Sequence, residues 1–369
     1  MKRIIALLLI VILCLSCGKK EDNTIKIGAV FELTGNIAEY GKAALNGVLL
    51  AVDELNQKDF FKKNKIKIYY EDSENNPTKA ISAIQKLIDL ERTPIVIGGV
   101  SSATTLAMAP IAEKNKVILF SPASSSPELT KQGEYIFRNY PSDTYEAKVL
   151  VDYLIKNKIY SISILYENND YGYGLAKTFA DLFQKSGGRV ELNEGYLSQT
   201  RDFKLYISKL QRTRVQAYYL PGYYQSVGIL LKQLKENSDN TRIFSSTGIE
   251  DVKLFSIAKT SANGIIYPTP SIDFENPSSA IQLFSVKYKA KYGINPNYPA
   301  MLAYDAANII ALAIEKTGNK STDEIKNELY LIKNFPGITG NTSIDKNGDA
   351  EKPFAMKIIE NNRFISLEK

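Results

Sequence analysis

The 369-residue chain contains no histidine, and its only cysteines are Cys14 and Cys17. The absence of histidine excludes Ser-His-Asp and Cys-His catalysis, histidine metal ligands and histidine pH switches. Because both cysteines lie in the first 17 residues, the rest of the chain has no disulfide and no cysteine zinc site. Acid–base catalysis relies heavily on histidine, so we predict that the protein is not an enzyme and binds no metal or cofactor.

The chain also lacks a concentrated block of one charge. It has 46 Lys and Arg against 40 Asp and Glu, a formal net charge of +6 that is spread thinly. No basic stretch is interleaved with aromatic residues, so no nucleic-acid partner is indicated. The hydrophobic fraction of 44% and charged fraction of 23% are those of an ordinary globular protein. At this length we expect two domains or lobes.

The first 24 residues have the pattern of a targeting segment. Lys2 and Arg3 precede an apolar run over residues 4–15, which at ~1.5 Å per residue is too short to cross a bilayer core of ~30 Å as a helix. We predict a signal peptide over residues 1–16. The sequence LCLSC at 13–17 resembles the lipobox of bacterial lipoproteins, which implies a lipid on Cys17 and a tether over residues 17–24. Secretion without a lipid is the alternative.

From residue 25 onward, short apolar strands alternate with amphipathic helices. Residues 25–31 and 65–70 have strand patterns, and residues 41–55 have apolar positions at helical spacing. Asn76 followed by Pro77 predicts the start of a further helix. Pro110 is expected to kink or end its helix early. The sequence DKNGD at 345–349 lacks the glycine and glutamate of a calcium loop, and it is predicted to be a hairpin turn.

Such alternation predicts parallel sheets covered on both faces by helices. We therefore expect an α/β protein of two doubly wound lobes, joined by a hinge that the chain crosses more than once. The first lobe is assigned to residues 25–141 with 270–338, and the second to residues 142–269 with 339–369. Ligands of such sheets bind beyond the carboxyl ends of the strands, which places a binding site in the cleft between the lobes.

The most informative motif is GGVSSAT at residues 98–104, where a strand ends and a helix begins. Its glycines permit close approach, and its hydroxyls and first-turn N–H groups suit a carboxylate. The sequence SPASSS at 121–126 follows the next strand and offers further hydroxyls. The other interpretation is two ordinary helix N-caps in serine-rich turns. The residues alone do not separate the two.

Tyrosines are frequent at the junctions between strands and helices. A tyrosine presents a flat apolar face and one hydroxyl, which suits the wall of a small-ligand site. The chain has 23 tyrosines, so any single one is more often a core or surface residue. The candidates are Tyr40, Tyr171, Tyr173, Tyr223 and Tyr224.

In their order along the chain, these motifs resemble those of type I periplasmic solute-binding proteins of the branched-chain amino acid (leucine/isoleucine/valine) transport family. The likeness extends from about residue 25 to residue 354. Its points are IKIG at 25–28, LTG at 33–35, YG at 40–41, DSENNP at 72–77, IG at 97–98, SS at 101–102, SPA at 121–123, PEL at 127–129, FR at 137–138, DYG at 170–172, GY at 222–223, YDA at 304–306 and GITG at 337–340.

The resemblance implies a fold of the periplasmic binding protein type I class and specific ligand contacts. Ser102, the backbone of Ala123 and the hydroxyl of Ser125 would hold the ligand carboxylate. The cleft would be lined by Tyr40, Tyr171 and Tyr223.

The same resemblance does not settle whether the ligand has an ammonium group or which residue would bind it. Thr247 stands where the family usually has an acidic residue, and a buried ammonium without a carboxylate is costly. Either Glu250, three residues on, pairs with the ammonium, or the ligand has none and Thr247 is a neutral hydrogen-bond partner.

The function that the resemblance implies is solute capture. We expect an extracytoplasmic lipoprotein, on the periplasmic or cell-surface face of a bacterial membrane. It would bind a small carboxylate-bearing solute, with an amino acid as the favoured class, and deliver it to an ABC permease by closing the cleft. The alternative is a sensing receptor for an amide or another small organic solute.

Overall fold

The computed structural model describes residues 24–271 and 278–367. In these residues the strands form two large sheets and a small third one. The strands are β1 (Ile25–Phe31), β2 (Ile66–Asp72), β3 (Ile95–Gly98), β4 (Ile118–Ser121), β5 (Ile136–Arg138), β6 (Ser161–Glu167), β7 (Arg189–Tyr196), β8 (Ala217–Leu220), β9 (Arg242–Ser245), β10 (Ile266–Pro270), β11 (Phe335–Gly337), β12 (Gly340–Ile344), β13 (Ala350–Glu351), β14 (Phe354–Glu360) and β15 (Arg363–Ser366).

Helices follow most of the strands, as the alternating pattern predicts. The α-helices are α1 (Ala38–Leu55), α2 (Asp59–Lys63), α3 (Pro77–Asp89), α4 (Ser102–Lys114), α5 (Asp143–Lys156), α6 (Asp170–Lys185), α7 (Lys204–Thr213), α8 (Tyr224–Glu236), α9 (Lys253–Ala258), α10 (Ser279–Tyr292), α11 (Tyr298–Thr317) and α12 (Thr322–Tyr330). Short 3-10 helices lie at Pro127–Lys131, Thr247–Ile249 and Lys259–Ala262.

The first sheet has the strand order β2-β1-β3-β4-β5, with every pair parallel. Side chains of a strand point alternately to opposite faces. In β3, Ile95 and Ile97 therefore enter the main hydrophobic core, whereas Val96 enters a second core on the other face. Helices α1 and α11 pack against each other on one side, and α3 packs with α4 on the other. Both faces of the sheet are covered, so this lobe is doubly wound.

The second sheet has the order β15-β14-β10-β9-β8-β6-β7. Strands β7, β6, β8, β9 and β10 run parallel, and β14 and β15 are antiparallel additions at one edge. The chain passes between the sheets after β5, after β10 and after β13. The predicted two-lobed α/β architecture with several crossings is confirmed.

The structure bears on two local predictions. Of the two outcomes predicted at Pro110, a kink or an early end, the early end is wrong: helix α4 continues to Lys114, and Ala112 after the proline is packed in the core. The predicted hairpin turn at 345–349 is present, since Ile344 pairs with Ala350 in antiparallel strands.

The contacts of this hairpin indicate to which lobe its residues belong; the lobe boundaries themselves stay a prediction. Arg138 at the end of β5 donates its backbone N–H to Gly348 at 3.0 Å, and its guanidinium binds Asp349 at 2.7 Å. We therefore group residues 340–351 with the first lobe rather than the second, because their contacts are with the first sheet.

The structure describes no helix that is long and apolar enough to cross a membrane. The predicted signal peptide, the tether up to residue 23 and the lipidation site Cys17 lie outside the described residues.

Candidate functional site

The carboxyl ends of the parallel strands in the two large sheets face each other across one cleft. Loops after β3 and β4 come from the first lobe, and loops after β8 and β9 come from the second. Together with residues that follow β1, β5 and β6 and with the start of α11, these loops line a cavity of about 60 Å³. It is lined by Tyr40, Val100, Ser102, Ala123, Ser125, Tyr140, Tyr171, Tyr223, Thr247, Gly248, Glu250, Tyr298, Pro299 and Leu302. All eight residues predicted for ligand binding are therefore brought to one cavity, from both lobes.

A larger cavity of about 520 Å³ adjoins the first and shares Tyr171 and Tyr223 with it. Most of its lining residues are polar and come from both lobes. They include Asn36, Asn75, Asn168 and Gln199. This second cavity therefore adds polar groups of both lobes beside the tyrosine wall.

One end of the cavity is built from hydroxyls and a helix N-terminus. Ser101 is the N-cap of α4, so Ser102 is the first residue of the helix and its N–H has no partner within the helix. The Ser102 hydroxyl accepts the N–H of Ser126 at 3.2 Å, which fixes its position. Ala123 and Ser125 lie beside it on the loop after β4. N–H groups and hydroxyls at the positive end of a helix suit an anion such as a carboxylate.

A buried carboxylate holds the loop before α4 in place. Glu32, which follows β1, accepts the N–H groups of Val100 and Ser101, each at 3.1 Å, and the hydroxyl of Thr104 at 2.5 Å. Burial raises the pKa of Glu32, and these hydrogen bonds oppose the shift. The Ser124 hydroxyl adds a bond to the Ser101 carbonyl at 3.0 Å. The geometry around Ser102 is thus preorganised by groups outside the cavity.

The second lobe repeats this arrangement. Glu167 at the end of β6 accepts the N–H of Tyr223 at 2.9 Å and the hydroxyl of Ser226 at 2.7 Å. A Cβ on Gly41 would lie 2.1 Å from the Glu32 carbonyl oxygen, and one on Gly172 would lie 2.1 Å from that of Glu167. Glycine is required at both positions because each helix starts against the end of its strand. The residue before each glycine is a cavity tyrosine, Tyr40 or Tyr171.

Tyrosine rings form the cavity wall and join the lobes. Tyr40 of the first lobe donates its hydroxyl to the Gly248 carbonyl of the second lobe at 3.1 Å. The Tyr171 and Tyr223 rings stack with centroids 5.1 Å apart, and Tyr40 lies edge-on to Tyr223 at 6.3 Å. Burial raises the pKa of all three phenols well above 10, so they are neutral hydrogen-bonding groups at physiological pH. A Lys253–Glu39 ion pair of 2.7 Å also crosses the cleft. The lobes are closed onto each other.

The other end of the cavity carries the acidic groups. Glu250 lines the cavity, and its Oε1 lies 2.5 Å from the Nζ of Lys357, with both side chains buried. Thr247 also lines the cavity, and its N–H donates to Oε1 of the buried Glu146 at 3.1 Å. The Tyr140 hydroxyl lies 2.9 Å from the Thr247 hydroxyl and 3.4 Å from Oε2 of Glu146.

Two tyrosines picked out by the sequence pattern are not part of the cavity. Tyr173 is half exposed, and Tyr224 is buried against the Tyr40 ring, with centroids 5.5 Å apart. Conversely, sequence reasoning missed Tyr140, Tyr298 and Glu146. Tyr140 comes just after β5, at the same sheet edge as the other site loops, and that position could have indicated it. The other two carry no local signal, because they reach the site through helix packing.

The comparisons with known proteins agree with this geometry. A profile of the family described as "Periplasmic binding protein" matches residues 24–362 of the chain. The chain belongs to this family. Within it, the leucine-, isoleucine-, valine-, threonine- and alanine-binding protein of Pseudomonas aeruginosa is 28% identical over 342 residues, which cover 92% of this chain and 90% of that one. The Leu/Ile/Val-binding protein of Escherichia coli is 27% identical over 329 residues, 88% of each chain.

Solved periplasmic binding proteins share the fold closely. A leucine-binding protein from Thermotoga maritima superposes with a TM-score of 0.87 and 27% identity, over 93% of this chain and 98% of that one. A branched-chain amino acid transporter substrate-binding protein from Streptococcus pneumoniae, in complex with isoleucine, has a TM-score of 0.85 and 28% identity, over 93% and 99%. The chain is thus a type I periplasmic binding protein, and its relatives are binding proteins rather than enzymes, as predicted.

Proposed function

We propose that this protein is an extracytoplasmic solute-binding lipoprotein that captures an amino acid in its closed cleft and delivers it to an ABC permease. The observation that carries the proposal is the cavity itself. It is lined by a helix N-terminus and hydroxyls from the first lobe, by tyrosine rings, and by acidic and hydroxyl groups from the second lobe. An α-amino acid carries a carboxylate, an ammonium and a side chain on one carbon, and the cavity has groups that suit each of the three.

Ser102, Ala123 and Ser125 would bind the carboxylate, and Tyr40, Tyr171 and Tyr223 would enclose the side chain. The names of the relatives support the choice of amino acids, since they include leucine, isoleucine, valine, threonine and alanine. Delivery to a permease is supported by the Streptococcus relative, which is described as a transporter substrate-binding protein.

The test is isothermal titration calorimetry of the mature protein against these five L-amino acids. The panel also includes acetamide, because the neutral Thr247 in the cavity would suit an amide. We expect saturable binding of at least one amino acid with one site per chain. Binding of acetamide alone would favour the sensing receptor, and binding of neither class would contradict the proposal.

The lipid anchor is tested separately at Cys17. A lipid with two or more acyl chains on Cys17 would bury those chains in the bilayer and so hold the protein at the membrane. Cys17→Ala is expected to release the protein from the membrane fraction on cell fractionation, whereas Cys14→Ala is the matched control that should stay bound. Membrane association of the Cys17→Ala variant would contradict the anchor.

A further inference from the structure

The wall of the cavity at Thr247 and Tyr140 is backed by a carboxylate. Glu146 in the first turn of α5 accepts the Thr247 N–H at 3.1 Å, and its Oε2 lies 3.4 Å from both the Thr247 and Tyr140 hydroxyls. Thr247 and Tyr140 line the cavity, so the carboxylate is one contact away from any group bound there. Glu146 is fully buried.

Neither Glu146 nor its neighbour Asp143 forms an ion pair with a described residue. No described Lys or Arg nitrogen lies within 4.0 Å of either carboxylate. The Ser125 side chain and the charge of Arg138 lower the pKa of Asp143, but burial outweighs both. The nearest guanidinium, that of Arg138, is bound to Asp349 instead. Glu250, by contrast, is already paired with Lys357 at 2.5 Å. A buried acid without a cation requires either a proton or a positive partner.

One further group at the cavity has unused hydrogen-bonding capacity. The Tyr298 hydroxyl is buried and has no hydrogen-bond partner among the described residues. Tyr298 lines the cavity. Buried polar atoms are nearly always hydrogen-bonded, so this end of the cavity is suited to a polar group of a solute rather than to an apolar side chain.

We propose that Glu146, together with Asp143, is the counter-charge for the ammonium of the bound solute, and that it acts through Thr247 and Tyr140. This inference rests on the proposed function and adds to it the residue that selects cationic solutes. The ammonium would lie against the Thr247 and Tyr140 hydroxyls, with the carboxylate directly behind them. Position 247 therefore needs no acid of its own, because α5 supplies the charge from the other side.

The proposal predicts that binding of the amino acid releases a proton. Burial raises the pKa of Glu146 well above its ordinary value, and the adjacent Asp143, whose own pKa burial raises, adds to the shift. Before binding, the pair holds a proton; when the ammonium arrives, Glu146 gives that proton to the buffer. Affinity should then rise with pH until the unliganded pair is ionised. The other titratable or charged groups facing the pair are Tyr140, Tyr171, Tyr219, Tyr223, Tyr298 and Arg138.

The test compares L-leucine with 4-methylpentanoate, which is the same molecule without its ammonium. If another amino acid of the panel binds more tightly, it and its desamino analogue replace this pair. Titrations in two buffers of different ionisation enthalpy, at about pH 7, give the number of protons released. Two variants are compared with the unmodified protein. Glu146→Gln retains an acceptor for the Thr247 N–H. Glu236→Gln, on the exposed face of α8, changes the net charge by the same amount but lies far from the cavity.

For the unmodified protein and Glu236→Gln, we expect proton release with the amino acid and none with the desamino analogue. Glu146→Gln should abolish the release and weaken amino acid binding at least about tenfold, while binding of the analogue stays within about threefold. Equal weakening of both ligands would mean a structural role and overturn the proposal, as would unchanged proton release. If no amino acid binds at all, the proposed function fails first and this inference fails with it.

Discussion

The ion pair between Glu250 and Lys357 decides how Glu250→Gln should behave. Both side chains are almost fully buried, at 5% and 2% exposure, and their charged atoms are 2.5 Å apart. Neutralising Glu250 takes away the buried carboxylate that lies 2.5 Å from the Lys357 ammonium, and breaking a buried ion pair typically costs about 3–5 kcal/mol. We therefore expect Glu250→Gln to lower the free energy of unfolding by about this amount even without ligand.

The matched control removes both charges. Glu250→Met/Lys357→Met removes both charges of this pair, and such replacements are often neutral or stabilising. We expect the double variant to recover most of the lost stability. Urea unfolding followed by far-UV circular dichroism gives both values, with constant m values as the check that two-state analysis applies.

The same two variants test whether Glu250 binds the ammonium. Because its charge is already balanced by Lys357, we expect the double variant to bind L-leucine, or whichever amino acid the protein binds, within about threefold of the unmodified protein. If Glu250 is the ammonium partner, affinity instead falls by decades in both variants. Unchanged stability of Glu250→Gln, within about 1 kcal/mol, would refute the reasoning from the buried pair.

Two further predictions follow from single residues. Ser102→Ala should weaken amino acid binding by about 1.5–3 kcal/mol, which calorimetry would show as a loss of roughly one to two decades in affinity. It should also lower the stability of the unliganded protein by about 1 kcal/mol, because the Ser126 N–H loses its acceptor. The control Ser82→Ala, at an exposed position, should change neither quantity. Burial lowers the pKa of Lys352, which donates to the Thr339 hydroxyl at 2.6 Å, to about 8. Between about pH 8 and 10 this lysine binds more protons in the unfolded chain, so its own contribution to stability should rise with pH by roughly 1–2 kcal/mol, while buried tyrosines with raised pKa values act in the opposite direction. Urea unfolding should therefore show the stability of the unmodified protein rising by this amount relative to that of Lys352→Met, and identical pH profiles would contradict the assignment.

Much of the site was predictable because it depends on local order along the chain. The serines at 101–102 and 121–126 follow buried strands, and parallel strands end at a common edge of their sheet. Tyr40 and Tyr171 precede glycines that pack against Glu32 and Glu167. These relations are set within a few residues of each strand, so they could be read in sequence once the strands were identified.

The acidic end of the cavity was not predictable in this way. The resemblance to the family offered Glu250, three residues after Thr247, as one candidate for the acid, and the structure shows that this carboxylate is paired with Lys357. Lys357 is on β14, an antiparallel strand that joins the second sheet only after the chain has crossed between the lobes twice more. Nothing near residue 250 indicates that a lysine will lie there.

The sequence by itself therefore determined the α/β alternation, the two lobes, the exclusion of histidine chemistry and the position of the serine loops at the cleft, because periodicity and turn residues act over short distances. Only the tertiary structure determined which charged groups lie beside the buried carboxylates of the site. Glu146 meets Thr247 across 101 residues, and Lys357 meets Glu250 across 107. Those contacts depend on how α5 and β14 pack against the loop after β9, and a buried charge is stabilised or left unpaired by that packing alone.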